Sequence, residues 1–156
     1  SSGLGLLEHA SERFGSSTIS VVLNLYRNAA GYPLACLGRP SPANPGQPLI
    51  HLARACQLAG AGELVVYDSS RDGTRQGFDI PLFAELNDQL AIPLVALGGC
   101  GNNAHIESLL SSTPISGVAA GSLFSYAPGS HQVLFNYQPT SQWLSAQLVN
   151  RRKHRQ

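Results

Sequence analysis

Charge is scarce in this chain. Only 12% of its 156 residues are Asp, Glu, Lys or Arg, and the formal net charge is +1, so no field of one sign marks it for nucleic acid. Apolar runs of membrane length are missing too: none approaches the ~18 residues of a span, and the start shows no basic segment followed by an apolar one. No membrane contact is expected, and the expected compartment is cytoplasmic. Cysteine is sparse and badly spaced for chemistry. Cys36, Cys56 and Cys100 are an odd, widely spaced set with no Cys-x-x-Cys pair, so neither a disulfide framework nor a zinc site is suggested. His9, His51, His105, His131 and His154 fall at no metal-ligand spacing, so neither a metal nor a cofactor is implied.

What is present suits one soluble domain over 1–156. Hydrophobic residues make up 43%, and the sixteen glycines and ten prolines lie between the apolar runs, the pattern of many short connections. A helix over 4–13 closes at Phe14-Gly15; a chain that opens inside a helix is expected to lack what precedes it. The β-branched stretch 18–25 is too apolar for a half-exposed strand and predicts one covered on both faces. From 26 to 48 the pattern dissolves into turns, a long loop or insertion holding at most a small hairpin around 32–37. Then come a helix over 49–58, a strand over 63–67, a helix from Pro81 to 87, a strand over 92–97, a helix over 103–110, a strand over 116–120 and a short turn at 123–126. An amphipathic stretch over 141–149 leads into a basic, solvated tail over 150–156. Four strands alternating with helices predict four consecutive parallel βα units.

One loop organises the rest. Ser69-Ser70-Arg71-Asp72-Gly73-Thr74-Arg75-Gln76-Gly77-Phe78-Asp79 follows the apolar run Leu64-Val65-Val66-Tyr67, at the carboxyl end of a buried strand. Its glycines allow close approach of backbone to a ligand, and Arg71, Asp72 and Thr74 supply charge and hydrogen bonds. Parallel order puts the loops after Leu25, Tyr67, Leu97 and Ala120 at one end of the sheet. Backbone N–H groups near Gly73, Gly99 and Gly121, with Ser122, would then form an anion pocket suited to a phosphate. Tight βα turns need glycine in any case, and Asp72 serves equally as a cap of the turn or of the next helix. Ser122 lacks a Gly-x-Ser-x-Gly elbow and is not expected to be a nucleophile.

Three motifs in order, Arg71-Asp72-Gly73-Thr74-x-x-Gly77-Phe78-Asp79, Ile92-Pro93-Leu94-Val95-Ala96-Leu97-Gly98-Gly99-Cys100-Gly101 and Ala119-Ala120-Gly121-Ser122-Leu123-Phe124, closely resemble the cyclase subunit family of imidazole glycerol phosphate synthase. Arg13-Phe14-Gly15-Ser16 and Ala59-Gly60-Ala61-Gly62-Glu63 extend the resemblance, which covers 6–148. Ala-Leu-Gly-Gly, Ala-Gly-Ser-Leu-Phe and His131-Gln132-Val133-Leu134-Phe135-Asn136-Tyr137 look closest to the paralogous branch that serves acetamidino-sugar formation in surface polysaccharides. The resemblance implies the C-terminal half of a (β/α)8 TIM barrel. It implies that Asp72, Gly73, Gly99, Gly121 and Ser122 surround one phosphate of a phosphorylated, sugar-type substrate, and that Glu63 joins the ring through which ammonia arrives from a glutaminase partner. Two sheet edges and the inner face of such a half imply pairing with the missing N-terminal half or with a second copy.

The departures bear on catalysis. The resemblance implies two aspartates as acid and base. One belongs to the absent half and the other falls on Asn24, which cannot exchange a proton near neutral pH, a loss of ~10² to 10⁴-fold. Leu97 stands where the histidine-pathway enzymes have serine, and Ser70 where the loop has aspartate. Asp68 could substitute if it faces the same way, but Tyr67 and Asp68 point oppositely. The expectation is an ammonia-using synthase subunit whose catalytic positions, Asn24 and Asp72, are incomplete. The alternatives are a histidine-biosynthesis cyclase truncated at its N-terminal half and a non-catalytic half-barrel binding a phosphate ligand or a partner.

Overall fold

Each apolar run of the sequence becomes a strand of one sheet or a helix laid against it. The computed structural model describes residues 3–125. In chain order these form α1 (Gly3–Phe14), a 3-10 turn (Ser16–Thr18), β1 (Ser20–Arg27), β2 (Pro33–Cys36), β3 (Gln47–Pro48) and α2 (Leu49–Leu58). Next come β4 (Glu63–Asp68), α3 (Ile80–Gln89), β5 (Leu94–Leu97), α4 (Asn103–Ser112), β6 (Gly117–Ala119) and α5 (Ser122–Ser125). The expected stretch 141–149, the tail 150–156, His131, His154 and the motif from His131 to Tyr137 lie outside the described residues.

The sheet order is β3-β2-β1-β4-β5-β6. β1, β4, β5 and β6 are parallel neighbours, as the alternation of strands and helices predicts. Within 26–48 the expected small hairpin is larger than predicted, and its two antiparallel strands extend the sheet. β1 runs on past Leu25, turns at Asn28 and pairs with β2 from Asn24↔Cys36 to Arg27↔Pro33, and β2 pairs with β3 at Leu34↔Pro48. The hairpin therefore joins 24–27 to 33–36 and is not confined to 32–37. Asn28 makes the turn: its Oδ1 accepts from the N–H groups of Ala30 and Tyr32, each at 3.0 Å, and its own N–H donates to the Tyr32 carbonyl at 3.1 Å. β3 is two residues long and ends in proline, which blunts that edge. Two other edges stay open among the described residues: the outer side of β6, and residues 20–23 of β1, which β2 does not reach.

Strand alternation sorts the side chains by face. Leu23, Leu25, Leu64, Val66, Leu94 and Ala96 are buried against Leu52, Ala53 and Cys56 of α2, Phe83 and Leu86 of α3, and Leu109 of α4. On the opposite face Asn24, Tyr26, Val65, Tyr67, Val95 and Leu97 are half-buried, and Val22 is 47% exposed. Among the described residues the first strand is thus covered on one face only. The interruption of its apolar run by Asn24 and Tyr26 marks the open face. Cys36, Cys56 and Cys100 are separate, buried, free thiols. Burial pushes the Cys56 and Cys100 thiols up to about 11 and raises Cys36 as well, so all three stay protonated and unreactive at neutral pH.

Candidate functional site

The loop over 69–79 is stitched to itself at its base. The N–H groups of Arg71 and Asp72 donate to the Asp68 carbonyl at 3.2 and 3.0 Å, and the Thr74 hydroxyl donates to the Arg71 carbonyl at 2.7 Å. Gly73 and Arg75 hold positive φ of 75° and 58°, which only glycine adopts without strain. Of the three polar side chains expected to serve a ligand, Thr74 is spent on the turn and Arg71 on an ion cluster described below. Asp72 remains presented to solvent. Tyr67, on the open face of the sheet, donates its hydroxyl to Asp72 Oδ2 at 2.8 Å. That hydrogen bond, with burial and the Asp72 charge, raises the Tyr67 pKa. The capping role belongs to Asp79, which accepts from the Leu82 N–H at 3.3 Å at the start of α3.

Asp68 faces the helices and is fully buried, so it cannot replace an acid on the open face. Its carboxylate receives Arg27 Nη1 at 3.1 and 3.3 Å and the hydroxyl and N–H of Ser70 at 2.5 and 3.1 Å. Arg27 Nη2 reaches Asp79 at 2.5 Å. Arg71 adds Nε at 3.6 Å from Asp68 and Nη2 at 3.8 Å from Asp79. Burial works against the Arg27 charge, but the Asp68 hydrogen bond and the charges of Asp68 and Asp79 outweigh it and raise its pKa. Sequence reasoning missed Arg27 because it ended the strand at Leu25. The period-two series 23, 25, 27 was the available signal.

The next loop leans directly on this one. The Gly77 N–H donates to the Gly99 carbonyl at 2.8 Å. A Cβ added at Gly99 (φ 90°) would run into the Gly77 carbonyl oxygen, and one at Gly98 would lie 2.5 Å from the Asp68 carbonyl oxygen. Glycine is required there by loop packing, with no ligand needed to explain it. Gly73 and Gly121 differ, since an added Cβ at either meets nothing within 4 Å. Register places all three loops at one end of the sheet, with Tyr67↔Leu97 and Leu97↔Ala119 as the last pairs before them. Ser122 opens α5 directly after Gly121.

Asn24 lies mid-strand on the open face. Its Nδ2 donates to the Gly38 carbonyl at 2.6 Å, which ties it to the segment after β2. Glu63 sits on that face at the opposite end of the sheet, where the Ser20 hydroxyl donates to its Oε1 at 2.6 Å. His105 is a satisfied residue: its Nδ1 accepts from the Gly101 N–H at 3.1 Å. Among the described residues no group of three or more His, Cys, Asp or Glu could hold a metal, and no helix is long and apolar enough to cross a membrane.

Comparison with known proteins follows the same residues. A family model described as "Histidine biosynthesis protein" matches residues 3–128. The imidazole glycerol phosphate synthase subunit HisF of Streptococcus sanguinis strain SK36 is 29% identical over 123 residues, 78% of this chain and 48% of the relative. HisF of Streptococcus gordonii strain Challis gives the same identity over the same shares. The chain spans about half the length of the curated relatives it matches. Its α/β architecture, with four parallel strands carrying the matched motifs, is consistent with a TIM-barrel family. The chain belongs to the histidine-biosynthesis protein family, with HisF-type cyclase subunits among its relatives.

Proposed function

We propose that this chain is the C-terminal half-barrel of a HisF-like, cyclase-type synthase subunit, with its phosphate end present and its acid/base pair incomplete. The observation that carries the proposal is the alignment of the loops after β4, β5 and β6 at one sheet end, the first two joined by the Gly77–Gly99 bond. Gly73 and Gly121 supply backbone with open space beside it, Ser122 adds a hydroxyl, and Gly99 packs against the Gly77 carbonyl. The Asp72 N–H is already given to Asp68, and its carboxylate would repel a phosphate. In this reading Asp72, held by Tyr67, meets a hydroxyl or a transferable proton of the substrate.

Glu63, at the far end of the open face, belongs to the route by which ammonia from a glutaminase partner would enter. Asn24, its amide engaged by Gly38, leaves proton transfer at that position unserved. The motifs shared with the acetamidino-sugar branch favour that branch, while the match to the histidine-biosynthesis family favours a histidine-biosynthesis cyclase represented by one half. Titration with a sugar phosphate followed by an ammonia-dependent turnover assay tests the proposal. Binding with turnover at least ~10²-fold below that of a complete acid/base pair is expected; rapid turnover by the chain alone would contradict it. Binding with no turnover even after a complementary N-terminal half is added favours the non-catalytic half-barrel.

The edges at residues 20–23 and β6, unpaired among the described residues, fit a missing half or a second copy. Light scattering of the chain is expected to show a species larger than a monomer, and a compact monomer would contradict this part of the proposal.

A further inference from the structure

We propose that Arg27 is a positioning residue, a clamp that closes the 69–79 loop at both ends and so sets where Asp72 and Gly73 stand. Asp68 is the residue before the loop and Asp79 its last, and a single guanidinium holds both. Nη1 lies 3.1 Å from Asp68 Oδ2 and 2.7 Å from the Ser70 hydroxyl, and Nη2 lies 2.5 Å from Asp79. The planar fork fixes the separation of its partners, which a lysine ammonium would not. Arg71, from inside the loop, braces the same two carboxylates and donates to the Gly77 carbonyl at 3.4 Å. Two cations and two carboxylates balance, the condition under which a carboxylate as buried as Asp68 is tolerated.

Arg27 extends from the helix-covered side of the sheet, whereas Tyr67 and Asp72 lie toward the open side. It therefore acts through the loop and not on a ligand. Other ties also hold the loop, among them Ser69 to the Leu25 carbonyl at 3.0 and 2.7 Å, Gly77 to Gly99 at 2.8 Å, Asp72 to Tyr67 at 2.8 Å and the Phe78–Phe83 ring contact, but none of these spans its two ends. The consequence for ligand binding rests on the phosphate reading above, but the clamp itself does not.

The test uses the full chain and two variants. Arg27→Gln removes the fork. Asp79→Asn keeps the helix cap and the buried Arg27–Asp68 pair but cuts the far hook, and it serves if the first variant fails to fold. Trypsin cleavage after Arg71 and Arg75, assigned by mass spectrometry, reports loop opening, with cleavage after Arg13 and Arg54 as the control. Cleavage in the loop is expected to rise roughly tenfold with the control sites unchanged, because proteolysis follows the open population. Affinity for inorganic phosphate is expected to weaken about tenfold in parallel, and Arg27→Lys to restore only part of both. Loop cleavage as slow as in the unaltered chain, or rising only in step with every other site, would overturn the clamp. If the unaltered chain binds no phosphate, the ligand reading falls and the cleavage pattern alone still decides the clamp.

Discussion

Gly99→Ala is expected to cost about 3 kcal/mol, the sum of a left-handed backbone forced on alanine and a methyl group driven against packed backbone. For a chain of this size that lowers the thermal midpoint by roughly 6–12 °C. The Gly77 carbonyl oxygen stands where the methyl would go, Arg71 Cβ lies 3.1 Å from it, and φ is 90°. Neither neighbour can yield easily, since Gly77 is itself bonded to Gly99 and Arg71 is held by two carboxylates. Gly121→Ala is the matched control: its added methyl meets nothing within 4 Å and its φ is not positive. Its stability should stay within about 0.5 kcal/mol. Thermal melts followed by circular dichroism compare the two, and equal midpoints would contradict the packing of the two loops.

Phe83→Ala is expected to cost about 4 kcal/mol, from lost transfer energy plus the cavity left behind, and to lower the midpoint by roughly 8–16 °C. Phe83 is fully buried in α3 and meets Phe78 edge to face, with ring centroids 6.4 Å apart and planes at 80°. Phe78 is the loop residue just before Asp79, so the same aromatic pair that fills the core also supports the end of the loop. Denaturant unfolding of the variant gives the value, and a change below about 1 kcal/mol would show that α3 does not pack as described. Leu58→Ala, at a position 86% exposed, should change stability by no more than about 0.5 kcal/mol.

Much of this architecture is written in local patterns. The Leu49–Leu58 helix, the alternating β4 and the helix start near Pro81 all follow from apolar spacing and turn residues, because each is decided within a few residues of itself. The hairpin was not legible in the same way. β2 and β3 are only four and two residues long, each contains a proline, and β2 is held by pairing with the end of β1, which runs two residues past Leu25. The same two residues include Arg27, whose role depends on carboxylates 41 and 52 residues away in sequence.

The site was partly legible for a related reason. Glycine at 73, 99 and 121 looks alike in sequence, but only coordinates separate Gly99, required by a neighbouring carbonyl, from Gly73 and Gly121, which border open space. The direction of Asp68 was equally undecided until the burial of Leu64 and Val66 fixed the phase of β4. Once that phase is set, Tyr67 and Asp72 fall on one side of the sheet and the ion cluster on the other.

The most direct measurement is a calorimetric titration of the intact chain and of Gly121→Ala with inorganic phosphate and a sugar phosphate. The proposal predicts that the unaltered chain binds both and that the variant, equally stable, binds them at least ~10-fold more weakly, about 1.4 kcal/mol. No binding by the unaltered chain, or equal binding by the two, would contradict a ligand seated among these loops.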